Sequence, residues 1–149
     1  MATIAPPPAS STSNLAALED AYARWAETKG GNVDEILELM DEDIVMDSVL
    51  PPELPLEISG THSRKDGVAA YFRGLLEEWE MVDWGVDRFI ADAAGEDIVM
   101  IGHCHWRHRA SGEEVRSPKI DVWHFADGKA TRFYEMFDTL AFARTAGLL

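Results

Sequence analysis

The stretch KIDVWHFADGKATRFYEMFD, residues 119–138, carries the strongest structural signal in the sequence. Apolar and polar residues alternate on both sides of Asp127-Gly128, a dipeptide typical of two-residue hairpin turns. The sequence therefore predicts a β-hairpin with strands at 114–126 and 129–138. The face that carries the aromatic side chains also carries three charged ones: Lys119, Asp121 and Glu135.

Three charges among aromatic side chains allow two interpretations. Burying them unpaired would be costly, because an isolated charge loses its hydration. In the first interpretation, Lys119 forms an ion pair with Asp121 or Glu135 at a wet sheet edge. In the second, the three side chains form the polar end of an apolar cavity, where burial shifts carboxyl pKa values toward neutrality and prepares them for proton transfer.

The composition describes one globular domain. The chain has 149 residues, 46% of them hydrophobic, and a formal net charge of −14. Such an acidic surface repels phosphate backbones and anionic lipids, so neither a nucleic acid nor a membrane is expected as a partner. The single cysteine, Cys104, excludes an intrachain disulfide. Residues 1–13 have the composition of a flexible Pro/Ser-rich tail without a secretion signal, which predicts a cytoplasmic protein with a single domain at 14–149.

The order of the predicted elements is helices first and then an antiparallel meander. Hydrophobic spacing predicts helices at 15–29, 32–40, 64–79 and 139–146, with Asn14 capping the first one. Strands are predicted at 44–49, 83–92, 97–109, 114–126 and 129–138, and the proline-rich segment 50–55 is predicted to be a loop. This arrangement indicates an α+β fold with helices covering one face of the sheet.

Alternation in the strands predicts which side chains face the helices. In the strand at 97–109, the more apolar set contains Ile98, Met100, Cys104 and Trp106, so His103 and His105 face outward. The spacing of these two histidines would suit a metal, but no acidic third ligand accompanies them, and no metal site is predicted. The residues that we expect to contact a ligand are Tyr22, Trp25, His62, Tyr71, Trp84, Cys104, Trp106, His108, Trp123, Phe133 and Phe137.

The sequence resembles the nuclear-transport-factor-2-like superfamily, and within it the SnoaL-like and ketosteroid-isomerase-like branch. The resemblance rests on three helices, a long loop, and the hairpin from Trp123 to Lys129 followed by Arg132 to Thr139. It implies a cone-shaped α+β barrel in which a strongly curved antiparallel sheet wraps around three N-terminal helices and encloses a pocket. It also implies a homodimer.

The resemblance places several candidate residues on family positions. Asp121 falls where ketosteroid-isomerase-like enzymes carry an oxyanion-donating acid, and Asp47 lies beside the position of their base, which is Ser48 here. Tyr22 lies two residues from the position of their helix tyrosine. Glu135 takes the place of an aspartate in limonene-epoxide-hydrolase-like members, whose Arg-x-Asp motif is absent at Gly102 and Cys104.

The expected function is cofactor-independent acid–base chemistry on a small, apolar and aromatic or polycyclic molecule. Asp121 and Glu135 would serve as acid and base, Lys119 would hold one acid ionised or stabilise an oxyanion, and Asp47 is a secondary catalytic candidate. No phosphate-binding loop or nucleophile motif is present, so no cofactor is expected. The alternative is a non-catalytic ligand-binding or dimeric interaction module.

Overall fold

The computed structural model describes residues 9–149, with side chains described from Asn14 onward. The helices are α1 (Ala9–Thr28), α2 (Val33–Glu38), α3 (Arg64–Glu78) and α4 (Thr139–Thr145). The strands are β1 (Met40–Ser48), β2 (Thr61–Ser63), β3 (Trp79–Ala91), β4 (Asp97–His108), β5 (Glu114–Ala126) and β6 (Lys129–Phe137). Of the predicted tail, residues 1–8 lie outside the described residues, and the backbone of 9–13 belongs to α1.

The six strands form one curved sheet in the order β2-β1-β6-β5-β4-β3. This confirms the predicted α+β fold of helices on a curved sheet. Two details differ from the expectation of an antiparallel barrel: the sheet does not close, and β1 runs parallel to β6. A tight hairpin joins only antiparallel neighbours, whereas β1 and β6 are separated by most of the chain, so no local turn dictates their relative direction.

The β5–β6 hairpin has the predicted faces. Asp121 pairs with Glu135, Lys119 with Phe137 and Trp123 with Phe133, so these side chains share one face of the sheet. That face is buried: Asp121 and Glu135 are each 2% exposed, and Lys119 is 6% exposed. The pattern in β4 agrees, because Ile98, Met100, Cys104 and Trp106 are all buried.

Two helices cover this inner face. The buried stripe of α1 contains Leu18, Tyr22 and Trp25, and that of α3 contains Tyr71 and Phe72. Apolar burial of this kind contributes roughly 25 cal/mol per Å² and holds the helices on the sheet. None of the described helices is long and apolar enough to span a membrane.

Several elements differ from the prediction, including β1, which begins at Met40 and not at residue 44. Helix α1 runs through Asn14, which is therefore not its cap; the Asn14 amide instead donates to the Gly95 carbonyl at 3.0 Å. Strand β3 begins at Trp79 and contains two bulges, which explains why its alternation is irregular in the sequence. The short strand β2 was not predicted, because three residues are too few to show a period.

Candidate active site

A buried lysine joins the two acids of the β5–β6 hairpin. The Lys119 Nζ atom donates to Asp121 Oδ1 at 2.8 Å and to Glu135 Oε1 at 2.8 Å. The geometry follows from the strands: Lys119 and Asp121 are two residues apart on one face, and Glu135 lies directly opposite Asp121. The ion pairs of the first interpretation therefore exist, but they are buried and do not lie at a wet sheet edge.

Two tyrosines from the helices donate further hydrogen bonds to the acids. The Tyr22 hydroxyl, on α1, donates to Asp121 Oδ2 at 2.5 Å, and the Trp123 indole N–H donates to the Tyr22 oxygen at 2.9 Å. The Tyr71 hydroxyl, on α3, lies 2.8 and 2.9 Å from the two Glu135 oxygens. The result is a buried chain of contacts in the order Tyr22–Asp121–Lys119–Glu135–Tyr71, which we call the polar cluster.

Burial and charge set the protonation of the polar cluster. Burial raises the pKa of Asp121 above its ordinary value, and the nearby Lys119 ammonium only partly opposes this. Burial by itself would lower the pKa of Lys119, but Asp121 and Glu135 outweigh it and raise the pKa above its usual range. Lys119 therefore stays protonated and cannot attack a carbonyl as a neutral amine.

The hydroxyl and thiol groups at the site are also protonated. Burial and the Asp121 carboxylate raise the pKa of Tyr22, and burial and Glu135 raise the pKa of Tyr71. Burial likewise raises the pKa of the Cys104 thiol to about 12, so Cys104 is not a thiolate at neutral pH. The tyrosines thus serve as hydrogen-bond donors, and the thiol is a packing group.

The polar cluster forms one end of an apolar cavity. The centre of a water molecule can occupy about 60 Å³ of it. Predicted ligand-contact residues that line it are Tyr22, Trp25, Tyr71, Trp84, Cys104, Trp106, Trp123, Phe133 and Phe137, and the predicted catalytic residues that line it are Lys119, Asp121 and Glu135. The structure thus brings these residues together around one space.

Asp47 lies outside this cavity, which corrects its expected place in the site. On β1 the residue that faces the cavity is Met46, so the neighbouring Asp47 points to the other side of the sheet. There it accepts a hydrogen bond from Thr61 at 2.7 Å and lies 3.5 Å from the Arg132 guanidinium.

His62 and His108 also lie away from the cavity lining. His62 belongs to β2 and packs edge-on against Tyr71, with ring centres 5.2 Å apart, so it supports a lining residue from behind. His108 lies at the end of β4, opposite Trp79, and its imidazole Nε2 is 2.9 Å from Glu78 Oε2. The structure therefore does not bring these two histidines to the cavity with the other predicted ligand-contact residues.

Several apolar lining residues were missed by the sequence analysis. They come from all four helices, from β1, and from the segments that follow α2 and β1: Leu18, Ala21, Ile36, Leu39, Met46, Ile58, Phe72, Leu75 and Phe142. The loop between β1 and β2 had a sequence signal, since it is unusually apolar for a surface loop, and Ile58 within it is 2% exposed. Nothing local in the sequence distinguishes the others from ordinary core residues.

The comparisons with known proteins agree with this architecture. The sequence profile of the SnoaL-like domain matches residues 18–133. No curated protein matches the sequence. An NTF2-like protein of unknown function from Burkholderia pseudomallei K96243 is 25% identical, with a TM-score of 0.76 over 89% of this chain and 95% of that one.

Two further solved structures share the fold at lower identity. TerC, co-crystallised with polyporic acid, is 23% identical, with a TM-score of 0.73 over 90% of this chain and 98% of that one. A candidate SnoaL-like polyketide cyclase from Jannaschia sp. CCS1 is 16% identical, with a TM-score of 0.71 over 97% of this chain and 96% of that one. The profile match over most of the chain, on a fold of the NTF2-like type, shows that the protein belongs to the SnoaL-like domain family.

Proposed function

We propose that this protein is a cofactor-independent enzyme that moves a proton on a small, mostly apolar molecule bound in the cavity. The observation that carries the proposal is the polar cluster, in which two carboxylates, an ammonium and two phenols meet at the end of an apolar space. The reaction classes that fit are isomerisation, dehydration, cyclisation and a retro-aldol-type cleavage, since each needs one group that takes a proton and returns it.

The charge of the cluster favours proton exchange. With Lys119, Asp121 and Glu135 all ionised, the buried site carries one net negative charge, and the uptake of a proton makes it neutral. The raised pKa of Asp121 makes that carboxyl the group that gains and loses this proton. Asp121 would take a proton from a C–H bond next to a carbonyl and return it to another atom of the substrate.

Lys119 would stabilise the negative charge that develops during this transfer. An enolate oxygen formed near Asp121 would lie beside an ammonium that is permanently protonated and buried. A fixed cation in a water-poor site stabilises such an oxygen more strongly than solvent does. Glu135 and Tyr71 would hold the ammonium in place, with Glu135 2.8 Å from Lys119 Nζ.

A non-catalytic binding role is the second candidate function. It is favoured by the pairing of both acids with Lys119, because paired carboxylates also occur in purely structural clusters. A carrier would bind the same apolar ligands in the same cavity but would not exchange their protons. Proton exchange therefore separates the two functions.

The test is deuterium uptake into 2-tetralone, an apolar aromatic ketone with acidic C–H bonds, followed by proton NMR in D₂O. We expect the protein to accelerate the uptake and Asp121→Asn to lower the rate by about a hundredfold or more, which is the usual contribution of a general base. Asp127→Asn is the matched control, since Asp127 is an exposed turn residue of the same hairpin. Circular dichroism melting of each variant shows whether it is folded.

Two results would contradict the proposed catalysis. One is an Asp121→Asn variant that exchanges protons as fast as the unchanged protein. The other is an unchanged protein that binds 2-tetralone without accelerating its exchange, which would favour the carrier role.

We also propose that a second copy of the chain covers the outer face of the sheet. Two cross-strand rows of apolar residues lie there: Val99, Val122 and Tyr134 in one, and Ile101, Ile120 and Met136 in the other. Tyr134 and Met136 are each 37% exposed in the single chain. Contiguous apolar patches on a sheet face are typical of interfaces.

A further inference from the structure

The hydrogen-bonding capacity of Asp121 is only half used. A carboxylate has about four lone-pair positions. Among the described residues, Asp121 accepts one side-chain hydrogen bond at each oxygen, from Lys119 at 2.8 Å and from Tyr22 at 2.5 Å. Because Asp121 lines the cavity and is 2% exposed, bulk water does not readily donate hydrogen bonds to its remaining lone pairs. The carboxylate therefore offers positions to a group on the ligand that can donate.

Lys119 has one N–H bond in reserve. An ammonium has three N–H donors. In the part of the chain that the structure describes, Lys119 Nζ makes two hydrogen bonds, to Asp121 and to Glu135. Its nearest aromatic neighbours, Trp84 and Phe137, lie with ring centres 5.9 and 5.3 Å from Nζ and offer no lone pair. The third N–H therefore remains for an acceptor atom of a ligand.

A single hydroxyl group meets both needs. It can donate its hydrogen to the Asp121 carboxylate and accept a hydrogen bond from Lys119. The two protein atoms that it would contact, Asp121 Oδ1 and Lys119 Nζ, already lie 2.8 Å apart. An ether oxygen can only accept, so an ether leaves the carboxylate positions of Asp121 unfilled. An apolar ring attached to that hydroxyl would contact the aromatic wall formed by residues such as Trp25 and Trp106.

The charge of the cluster excludes anionic ligands. With Lys119, Asp121 and Glu135 ionised, the cluster carries one net negative charge, and a carboxylate or phosphate on the ligand would add another in a poorly hydrated space. Two like charges at close range repel strongly where water does not screen them. The other lining residues that the structure describes are almost all apolar and include no second cation that could compensate.

We infer that the cavity selects neutral, hydroxyl-bearing aromatic compounds and rejects their ether and carboxylate analogues. This inference rests on the cavity of the proposed function and specifies which compounds it receives. It concerns binding alone, so it does not require that the bound compound react.

Isothermal titration calorimetry with three ligands on one ring system tests the inference. 2-Naphthol donates and accepts, 2-methoxynaphthalene only accepts, and naphthalene-2-carboxylate is an anion. We expect 2-naphthol to bind about tenfold or more tightly than the ether, because its hydrogen bond to Asp121 has a charged acceptor. We expect the carboxylate to bind more weakly than the ether.

Two variants assign the selectivity to Asp121. In Asp121→Asn, the preference for 2-naphthol over the ether should shrink to about threefold or less, because the charged acceptor is gone. The Asp127→Asn control should keep the full preference, since Asp127 lies in the exposed turn.

The measurements on the unchanged protein decide the inference without the variants. Equal affinity for 2-naphthol and its ether, absence of 2-naphthol binding, or tight binding of the carboxylate would each overturn it. Failure of deuterium exchange with 2-tetralone would remove the proposed catalysis and leave this binding preference intact, so the two failures are distinguishable.

Discussion

Replacement of Lys119 by methionine should destabilise the protein in a pH-dependent way. Methionine has a similar length, but it removes two hydrogen bonds of 2.8 Å and the only cation within the polar cluster of the described structure. The Asp121 and Glu135 carboxyl groups would then face each other across the hairpin without the positive charge of Lys119 between them. Removal of one partner from a buried ion pair typically costs about 3–5 kcal/mol, and we expect that loss of unfolding free energy near neutral pH.

The pH dependence follows from the acids that remain. The pKa of Asp121 is already raised by burial, and loss of the ammonium raises it further. The folded variant then binds more protons than the unfolded chain, so its unfolding free energy falls as the pH rises. For each additional proton that the folded state binds, this fall is up to about 1.4 kcal/mol per pH unit. The variant's loss of unfolding free energy, relative to the unchanged protein, should be small at a pH near the pKa of an aspartate in the unfolded chain. The loss should be largest at a pH above the raised pKa of Asp121 in the folded variant.

Urea denaturation followed by circular dichroism, at about pH 5 and about pH 7.5, measures this difference. Lys65→Met is the matched control, because Lys65 Nζ lies 4.0 Å from Glu42, whose side chain is 71% exposed. A surface pair of this kind contributes at most about 1 kcal/mol, with little change over this pH range. A Lys119→Met deficit below about 1 kcal/mol, or one that stays constant with pH, would refute the charge balance described for the cluster.

Two further predictions concern a helix tyrosine and the outer sheet face. Tyr71→Phe should cost about 1.5–3 kcal/mol in urea denaturation, because Glu135 loses its phenol donor, whereas the exposed Tyr134→Phe should change stability by no more than about 0.5 kcal/mol. Equal effects of the two substitutions would contradict the role of Tyr71. In sedimentation velocity, the unchanged protein should form a dimer that Met136→Lys weakens by at least about tenfold, while Leu140→Lys on α4, exposed at 56%, should leave it unchanged. A monomeric unchanged protein would exclude this interface.

The polar cluster could be predicted from the sequence because its charged members belong to one hairpin. The Asp127-Gly128 turn alone would not give the observed pairing of Asp121 with Glu135, because the register shifts between His124 and Phe125. The aromatic residues at the same two-residue spacing assign Lys119 and Asp121 in β5, and Glu135 in β6, to the buried face of each strand. The same reasoning assigned the buried face of β4 correctly.

The misplaced residues depend on long-range pairing. Asp47 lies on β1, whose neighbour β6 is about ninety positions away in the chain, and the facing of β1 is fixed by that parallel pairing. His62 lies on a strand of three residues that exists only because β1 is beside it. The tyrosines were predicted to contact ligand; they do line the cavity, but their hydroxyls bind the acids, which the sequence of α1 and α3 does not indicate.

The indole of Trp123 gives the hydrogen bonds on one side of the cluster a single direction. An indole nitrogen only donates, so the Tyr22 oxygen must accept from it, and the phenolic proton is left pointing at Asp121. The orientation of the Tyr22 dipole is thus settled during folding, before any ligand arrives. A site arranged in this way avoids most of the reorientation that water dipoles would undergo when charge moves, and reorientation of this kind is a large part of the barrier in solution.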